Sequence, residues 1–403
     1  MSSFNQSLQA ELEAIRAAGL LRELRRVDSA QGPRIVLAGR ECVNFSSNDY
    51  LGLANHPALK EAAIKATEKF GAGSGASRLI CGSLAPHHEL EEALAAFKGT
   101  EAALTFSSGY ATALGTIGAL VGKDDIVIID KLVHASIVDA ARLSGAKLRV
   151  FAHNDLVDLE AKLKWAERVQ GPKSKVQGRE PRALVITESV FSMDGDLAPL
   201  RDIVELKHRY GAWLMVDEAH ATGLFGAQRR GLAEAHEIAE RVEVQMGTLG
   251  KAIGAGGGYI CGSRVLIDLL INRARSFIFS TAPVPAAAAA ARAGIELLQS
   301  SEGEERRTRL WSRVDQFKNA MTGGPWKLPV VQSPIVPVIV GEETAAVELA
   351  ARLHERGCFI PAIRFPTVAR GTARLRVTLT AAHSPEDVRE LADCLSELGV
   401  TGN

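Results

Sequence analysis

The sequence predicts an α/β protein in which a large domain holds a mostly parallel sheet and a smaller α+β domain follows it. Three observations support this prediction. Between residues 102 and 263, short apolar segments alternate with helical ones, the pattern of right-handed βαβ crossovers. Polar or glycine-rich groups follow five of the apolar segments. From about residue 286 onward the alternation gives way to a different order of elements.

The elements of the large domain follow from segment length and side-chain type. The predicted strands are short, apolar and mostly β-branched, and helical segments lie between most of them. Strands are predicted at 102–106, 126–130, 148–151, 183–187, 213–216 and 244–246, and helices at 111–120, 135–143, 156–169 and 200–210. The glycine-rich segment 256–261 is predicted to add one more strand.

The two ends of the chain have other patterns. Leu8, Leu12 and Ile15 recur at helical spacing and predict an N-terminal helical arm, followed by a turn and strand at 39–45. In the tail, Ser384-Pro-Glu-Asp387 begins the last helix with a capping box. The other tail elements are helices at 286–300 and 345–356 and strands at 335–340 and 373–380. We therefore expect an arm over residues 1–45, a large domain over 46–285 and a small domain over 286–403.

Composition and charge exclude several classes of function. The 403 residues include 47 Lys plus Arg and 47 Asp plus Glu, so the formal net charge is zero, which argues against a nucleic-acid binder. The five cysteines are widely spaced without a Cys-x-x-Cys pair, so we expect no metal site and a reducing cytoplasm. No signal-peptide pattern is present, and the most apolar stretch, 282–291, is too short to span a bilayer.

Five predicted strands are followed by groups that can do chemistry. Ligands bind at the carboxyl ends of the strands in a doubly wound sheet, so the concentration of these groups at one edge predicts a shared cleft. The groups are Ser107-Ser-Gly-Tyr110, Lys131-Leu-Val-His134, Glu188-Ser-Val-Phe-Ser192, Asp217-Glu-Ala-His220 and Gly247-Thr-Leu-Gly-Lys251. The first is a strand-to-helix turn, which either caps its helix or offers N–H groups to a phosphate.

Asp217 and His220 each have a structural and a functional interpretation. Asp217 follows the apolar run Trp-Leu-Met-Val, and an ionised carboxylate at the end of a buried strand needs a partner. That partner is either a helix N-terminus or a cationic ring nitrogen. His220 is either a satisfied histidine near the core or a group of the cleft. For either residue alone, the structural interpretation is favoured.

Lys251 lies among small residues, between Gly250 and Ala252. It is either a solvated surface charge or a desolvated amine whose lowered pKa makes it a nucleophile for a carbonyl. The glycines around it are not a Walker A loop, because there the lysine follows the glycines. The segment Gly71-Ala-Gly-Ser-Gly-Ala76 fits a loose dinucleotide fingerprint. A predicted helix rather than a strand precedes it, so we reject a nicotinamide site.

Asp217-x-x-His220 and Thr248-x-x-Lys251 together resemble the motifs of the fold-type I pyridoxal phosphate enzymes, and the resemblance narrows to the α-oxoamine synthases. It extends through nearly the whole chain. The segments are Asn44-Phe-Ser-Ser-Asn-Asp-Tyr-Leu-Gly-Leu53, Gly73-Ser-Gly-Ala-Ser-Arg78, Phe191-Ser-Met-Asp-Gly-Asp196, Val216-Asp-Glu-Ala-His-Ala-Thr-Gly223 and Ser280-Thr-Ala-Pro283. It implies a seven-stranded sheet in the large domain.

The resemblance also implies roles for individual residues. Lys251 would carry the cofactor and then act as acid and base, and Asp217 would keep the pyridine nitrogen protonated. His220 would bond the cofactor's phenolic oxygen, and His134 would stack on its ring. The remaining cofactor residues would be Gly109, Tyr110, Thr248, Ser192 and Glu188. Substrates would meet His134, Asn48, Arg22, Thr367 and one or more of Arg364, Arg374 and Arg376.

The implied reaction is a decarboxylative condensation of an amino acid with an acyl thioester. The tail, 363–368 and 371–383, most resembles family members that join L-alanine to a pimeloyl group carried by CoA or by acyl-carrier protein. Sibling synthases that use glycine or serine with another acyl-CoA remain an alternative. A non-catalytic partner subunit of the same fold should lack the lysine that Lys251 supplies. The family's enzymes are homodimers with shared active sites, and Ser280-Thr281 is the candidate for the segment that crosses over.

The strand at 373–380 places Arg374 and Arg376 on the same face, because side chains alternate along a strand. A structural carboxylate could pair with one of them. A guanidinium offers two parallel donors to a planar carboxylate, and we predict that Arg376 binds the carboxylate of the amino acid. Arg364 and Thr367 are assigned to the acyl or the quinonoid side of the reaction.

Overall fold

The computed structural model describes residues 2–170 and 180–400. The chain divides into two compact units, one made of residues 1–47 and 312–403 and the other of residues 48–311. The second boundary falls at residue 311, beyond the position 285 expected from the sequence. The predicted assignment of an arm, a large domain and a small domain stays a prediction.

The secondary structure alternates along the middle of the chain as expected. The helices are α1 (Ser3–Ala17), α2 (Pro57–Phe70), α3 (Ala85–Lys98), α4 (Gly109–Leu120), α5 (Ala135–Leu143), α6 (Leu156–Gln170), α7 (Leu200–Arg209), α8 (Leu232–Ala235), α9 (Arg264–Arg273), α10 (Arg275–Ile278), α11 (Pro285–Gln299), α12 (Ser301–Met321), α13 (Glu343–Glu355) and α14 (Pro385–Val400). The strands are β1 (Arg34–Leu37), β2 (Arg40–Asn44), β3 (Ala102–Phe106), β4 (Ile126–Asp130), β5 (Lys147–Phe151), β6 (Ala183–Glu188), β7 (Trp213–Asp217), β8 (Val244–Thr248), β9 (Gly258–Gly262), β10 (Ile335–Gly341), β11 (Cys358–Phe359), β12 (Ala362–Ile363) and β13 (Ala373–Thr378).

The unit of residues 48–311 contains a seven-stranded sheet in the order β3-β9-β8-β7-β6-β4-β5. The neighbours from β8 to β5 are parallel, and β9 runs antiparallel to both β8 and β3. The mostly parallel seven-stranded sheet is therefore confirmed. The added strand predicted at 256–261 is β9, its one antiparallel member.

Helices pack on the sheet, and its inner strands β4 and β6 are nearly continuous apolar runs. Every residue of β4 and β6 is buried. Val127 and Ile186 of the sheet join Ile117 of α4, Ile137 of α5 and Leu270 of α9 in one hydrophobic cluster. Strands buried on both faces show no alternation of polar and apolar residues, which is why short apolar runs identified them. The parallel strands bring their carboxyl ends to one edge of this rigid layer.

The unit of residues 1–47 and 312–403 has α+β character, as predicted for the C-terminal part of the chain. Its two small sheets have the strand orders β1-β2-β11 and β10-β13-β12. Strand β13 is buried throughout and pairs antiparallel with β10 and β12. In the described part of the chain no helix is both long enough and apolar enough to cross a membrane.

Candidate active site

The carboxyl edge of the seven-stranded sheet gathers the predicted site residues of the unit 48–311. Strands β6 and β7 end side by side, and their register pairs Glu188 with Asp217. Strand β8, the next neighbour, ends at Thr248, three residues before Lys251. Residues that are far apart in the sequence therefore meet because parallel strands end at a common edge.

A chain of side-chain contacts runs from Lys251 back to the first residues of this unit. The Lys251 Nζ lies 2.9 Å from the His220 Nε2. The His220 Nδ1 lies 2.6 Å from the hydroxyl of Tyr50, which is fully buried. The Tyr50 hydroxyl also lies 3.4 Å from the Asn48 Oδ1. Three predicted residues, Lys251, His220 and Asn48, are thus connected through a tyrosine that the sequence analysis did not select.

Asp217 is a buried carboxylate at the centre of this edge. Its side chain caps the following turn, since the Oδ1 accepts a hydrogen bond from the Ala219 N–H at 2.9 Å. Burial raises the pKa of Asp217, and the positive charge of Lys251 opposes that rise. Capping therefore uses one oxygen, at a turn rather than at the helix N-terminus that the structural interpretation expected. It leaves the negative charge available to a cation in the cleft.

Glu188 ties together two loops of the same edge. Its Oε1 accepts a hydrogen bond from the His134 N–H at 2.5 Å, and its Oε2 accepts one from the Ser192 N–H at 3.2 Å. Burial and the neighbouring charge of Asp217 raise the pKa of Glu188 to about 8. Burial also lowers the pKa of His134, whose Nδ1 lies 2.8 Å from the Ser136 Oγ. Two adjacent carboxyls with different environments are typical of a catalytic site.

The first turn of α4 lies against the end of β8. A Cβ on Gly109 would lie 2.6 Å from the Thr248 Cγ2, so only glycine permits this approach. Ser108 caps the helix through the Ala111 N–H, whereas the N–H groups of Gly109 and Tyr110 have no acceptor within the helix because they belong to its first turn. The ring hydroxyl of Tyr110 donates to Asp139. Its backbone N–H is therefore the group that suits a phosphate.

These residues fit pyridoxal phosphate. The buried Thr248 Oγ1 has no hydrogen-bond partner among the residues that the structure describes, and it lies beside the helix N-terminus that suits an anion. A buried carboxylate at Asp217 suits a protonated ring nitrogen, and the Lys251 amine suits the aldehyde. Among residues 2–170 and 180–400, no group of three or more His, Cys, Asp or Glu side chains could hold a metal ion.

The predicted substrate residues of the other unit form two groups. Arg22, Arg364 and Thr367 line one cavity of about 1030 Å³ within the unit of residues 1–47 and 312–403. Arg364 donates to the Gly19 carbonyl at 2.6 Å and to the Leu21 carbonyl at 2.9 Å, so it holds the segment that carries Arg22. Arg376 is buried on β13, where its Nη1 donates to the Thr378 Oγ1 at 2.8 Å.

A buried ion pair behind the site was also missed by the sequence analysis. The Lys98 Nζ lies 2.5 Å from the Glu218 Oε2, and both side chains are almost fully buried. Glu218 also accepts a hydrogen bond from the Ala233 N–H at 2.8 Å. Since Glu218 lies between Asp217 and His220 in sequence, the pair holds the turn that presents both. The sequence around Glu218 held one signal, a second acidic residue after a buried strand, but nothing local marked Lys98 as its partner.

Known proteins resemble this chain over nearly its whole length. The family model for class I and II aminotransferases matches residues 40–395. The 8-amino-7-oxononanoate synthase of Geobacter sulfurreducens is 48% identical over 394 residues, 98% of each chain. The enzyme of the same name from Anaeromyxobacter sp. strain K is 50% identical over 379 residues, 94% of this chain and 92% of the other.

Solved structures confirm the fold-type I class expected from the resemblance. A serine palmitoyltransferase from S. paucimobilis, with PLP and myriocin bound, has a TM-score of 0.90 at 30% identity and covers 98% of this chain and 97% of its own. The 8-amino-7-oxononanoate synthase of Francisella tularensis has a TM-score of 0.74 at 27% identity and covers 89% and 98%.

Proposed function

The chain belongs to the class I and II aminotransferase family, and from this premise we propose that it catalyses the pyridoxal phosphate-dependent condensation of L-alanine with a pimeloyl thioester. The products are 8-amino-7-oxononanoate, CO2 and the free thiol, a step of biotin biosynthesis. The observation that supports a catalytic role is the Lys251 amine, 2.9 Å from the His220 ring and in the same cluster as buried Asp217. The choice of substrates rests on relatives named for this reaction, 44–50% identical over nearly the whole chain.

The protein's own residues would bind the cofactor, orient the reacting amine and move a proton. When bound, pyridoxal phosphate supplies the electron sink that stabilises a carbanion at the substrate's α-carbon. Gly109, Tyr110 and Thr248 would hold its phosphate, and Asp217 would hold the proton on its ring nitrogen. His134 and Ser192, both tied to Glu188, would contact the ring. Lys251 would take the α-proton of the amino acid, with His220 placed to orient the amine.

A screen of amino acids against acyl thioesters tests this function directly. L-alanine with pimeloyl-CoA or pimeloyl-acyl-carrier protein should give the product mass of the expected amino ketone, detected by mass spectrometry. Sibling synthases that take glycine or serine are the alternative, and the likeness to serine palmitoyltransferase keeps serine in the screen. Turnover with serine or glycine but not with alanine would overturn the proposed substrate.

We further propose that the chain is a cytoplasmic homodimer with shared active sites. The segment Ser280-Thr281 lies beside the loop of residues 76–77, where Thr281 bridges to Ser77 and the Ala282 N–H donates to the Ala76 carbonyl at 3.0 Å. Two chain segments held together in this way would reach a partner subunit as one rigid piece. Light scattering at assay concentration should give the mass of a dimer, and a fully active monomer would contradict the proposal.

Arg376→Ala should weaken alanine binding without disturbing the bound cofactor. Loss of a bidentate charge pair costs roughly 2–4 kcal/mol, or about 30- to 1000-fold in affinity. Titration of alanine into the variant, followed by the visible absorption band of the cofactor, measures the change. Arg374→Ala is the matched control, because Arg374 is equally buried on the same face of β13. If Arg374→Ala shows the larger loss, the carboxylate-binding role belongs to Arg374.

A further inference from the structure

A histidine outside the predicted site connects two loops of the sheet edge. His153 follows β5, and its Nδ1 lies 3.0 Å from the Oδ1 of Asp130, the fully buried last residue of β4. Its Nε2 lies 2.7 Å from the Asp196 Oδ2. The ring packs edge-on against Phe191, with centroids 4.3 Å apart. A neutral imidazole has one N–H donor, whereas both ring nitrogens here face carboxylates, so the arrangement suits the imidazolium.

The first carboxylate belongs to the loop that ends at His134. Asp130 also accepts a hydrogen bond from the Leu132 N–H at 2.7 Å and, through its Oδ2, one from the Asn154 N–H at 2.9 Å. Asp130 thus bonds to the start of the loop of residues 131–133 and to the segment that follows β5. The next residue, His134, is the N-cap of α5 and donates its N–H to Glu188.

The second carboxylate belongs to a hairpin that carries Ser192. Val190 and Leu197 form an antiparallel bridge, and the Phe191 N–H donates to the Asp196 carbonyl at 3.0 Å. Asn154 joins the contact, because its Nδ2 donates to the Asp196 Oδ2 and to the Leu197 carbonyl, each at 3.1 Å. Ser192, next to Phe191, donates its N–H to Glu188. Both loops that His153 connects thus converge on the same glutamate.

We propose that His153 is a positioning residue whose imidazolium ties Asp130 to Asp196 and so holds the His134 loop and the Ser192 hairpin in place for the cofactor. The proposal rests on cofactor use and not on the identity of the substrates. The charged groups that face His153 are Asp130 on β4 and Asp196 on the hairpin. Both favour the charged ring.

The pH dependence follows from these contacts. Although burial favours the neutral ring, the hydrogen bonds to Asp130 and Asp196 raise the pKa of His153 to about 10. An unfolded histidine titrates near 6.5. A raised pKa in the folded state means that the stabilisation is fully present below pH 6.5 and is lost as the pH rises to 10. Wild-type protein should therefore lose unfolding free energy across this window, and His153→Gln should lack that part of the slope.

The test compares wild type, His153→Gln and His153→Lys, with His208→Gln as the control at an exposed histidine. Pyridoxamine 5′-phosphate is the probe, because it has no aldehyde and its affinity for apo-protein does not depend on a bond to Lys251. At pH 7.5, His153→Gln should bind it about 2- to 150-fold more weakly, the range for residues coupled through one hydrogen-bond network. His153→Lys, which keeps a positive charge, should recover part of the loss.

The ratio of the pyridoxamine 5′-phosphate affinities of wild type and His153→Gln isolates the effect of His153. Glu188, whose pKa of about 8 lies in the same pH range, is present in both proteins. We expect the ratio to fall toward one as the pH rises past 10. An affinity ratio of one at pH 7.5 would overturn the positioning role, and a ratio that stays constant up to pH 10.5 would overturn the role of the charge. If neither variant folds, an NMR titration that measures the pKa of His153 in the wild-type protein tests the proposal. A pKa below 7 would overturn it.

Discussion

Lys251→Ala should abolish synthase turnover and remove the covalent attachment of pyridoxal phosphate. The lysine is expected to carry the cofactor and to take the α-proton, and loss of the acid–base role alone costs about 10²–10⁴-fold. Its amine lies 2.9 Å from His220, within the distance at which a ring nitrogen can orient it. Borohydride treatment of wild-type protein, followed by peptide mapping, should place the pyridoxyl group on the peptide that contains Lys251.

Lys131→Ala provides the matched control for this prediction. Lys131 is exposed and follows β4 at the same edge of the sheet, so its loss tests for an unspecific effect of removing a positive charge there. Activity and labelling should persist in this variant. A pyridoxyl label on any other lysine, or retention of the reducible attachment in Lys251→Ala, would remove Lys251 from the role.

The sequence could predict the large sheet because its strands are buried on both faces. Strands such as Ile126–Asp130 are continuous apolar runs bounded by polar turns, and such runs need no long-range information to be recognised. The first and last residues of the helices were predicted less exactly. Helix α4 begins at Gly109 rather than at the predicted residue 111, because Ser108 caps it from outside. The two small sheets of the other unit combine strands that are far apart in sequence, so only their individual strands could be predicted.

The site was predictable where it follows from strand ends, and not where it depends on tertiary contacts. Asp217 ends a strand, and His220 and Lys251 each lie three residues beyond a strand end, so the sheet itself brings them together. Tyr50 reaches His220 across 170 residues of sequence, and Lys98 reaches Glu218 across 120. No local spacing encodes either contact. A lysine at the end of an amphipathic helix is normally solvated, and only the fold shows that Lys98 is buried.

Asp217→Asn should keep the fold and lose most of the turnover. The substitution preserves the side-chain oxygen that accepts the Ala219 N–H at 2.9 Å, so the local cap should survive. It removes the negative charge that would hold a proton on the cofactor's ring nitrogen. A charge-assisted hydrogen bond contributes roughly 1.5–3 kcal/mol, which corresponds to about 10- to 150-fold. The fall in rate should exceed this range, because a neutral pyridine accepts electrons poorly.

The most direct test of this role is the exchange of the α-proton of alanine with deuterium. The exchange is monitored by NMR in the absence of the acyl substrate. Asp125→Asn is the control, since Asp125 is a buried carboxylate before β4, at the opposite end of that strand, and accepts the Gly122 and Arg182 N–H groups at 2.9 and 2.8 Å. Neutralising it should leave exchange nearly unchanged, which would show that burial alone does not explain the loss at Asp217. Near-normal exchange in Asp217→Asn would instead mean that Asp217 serves only as the cap of its turn.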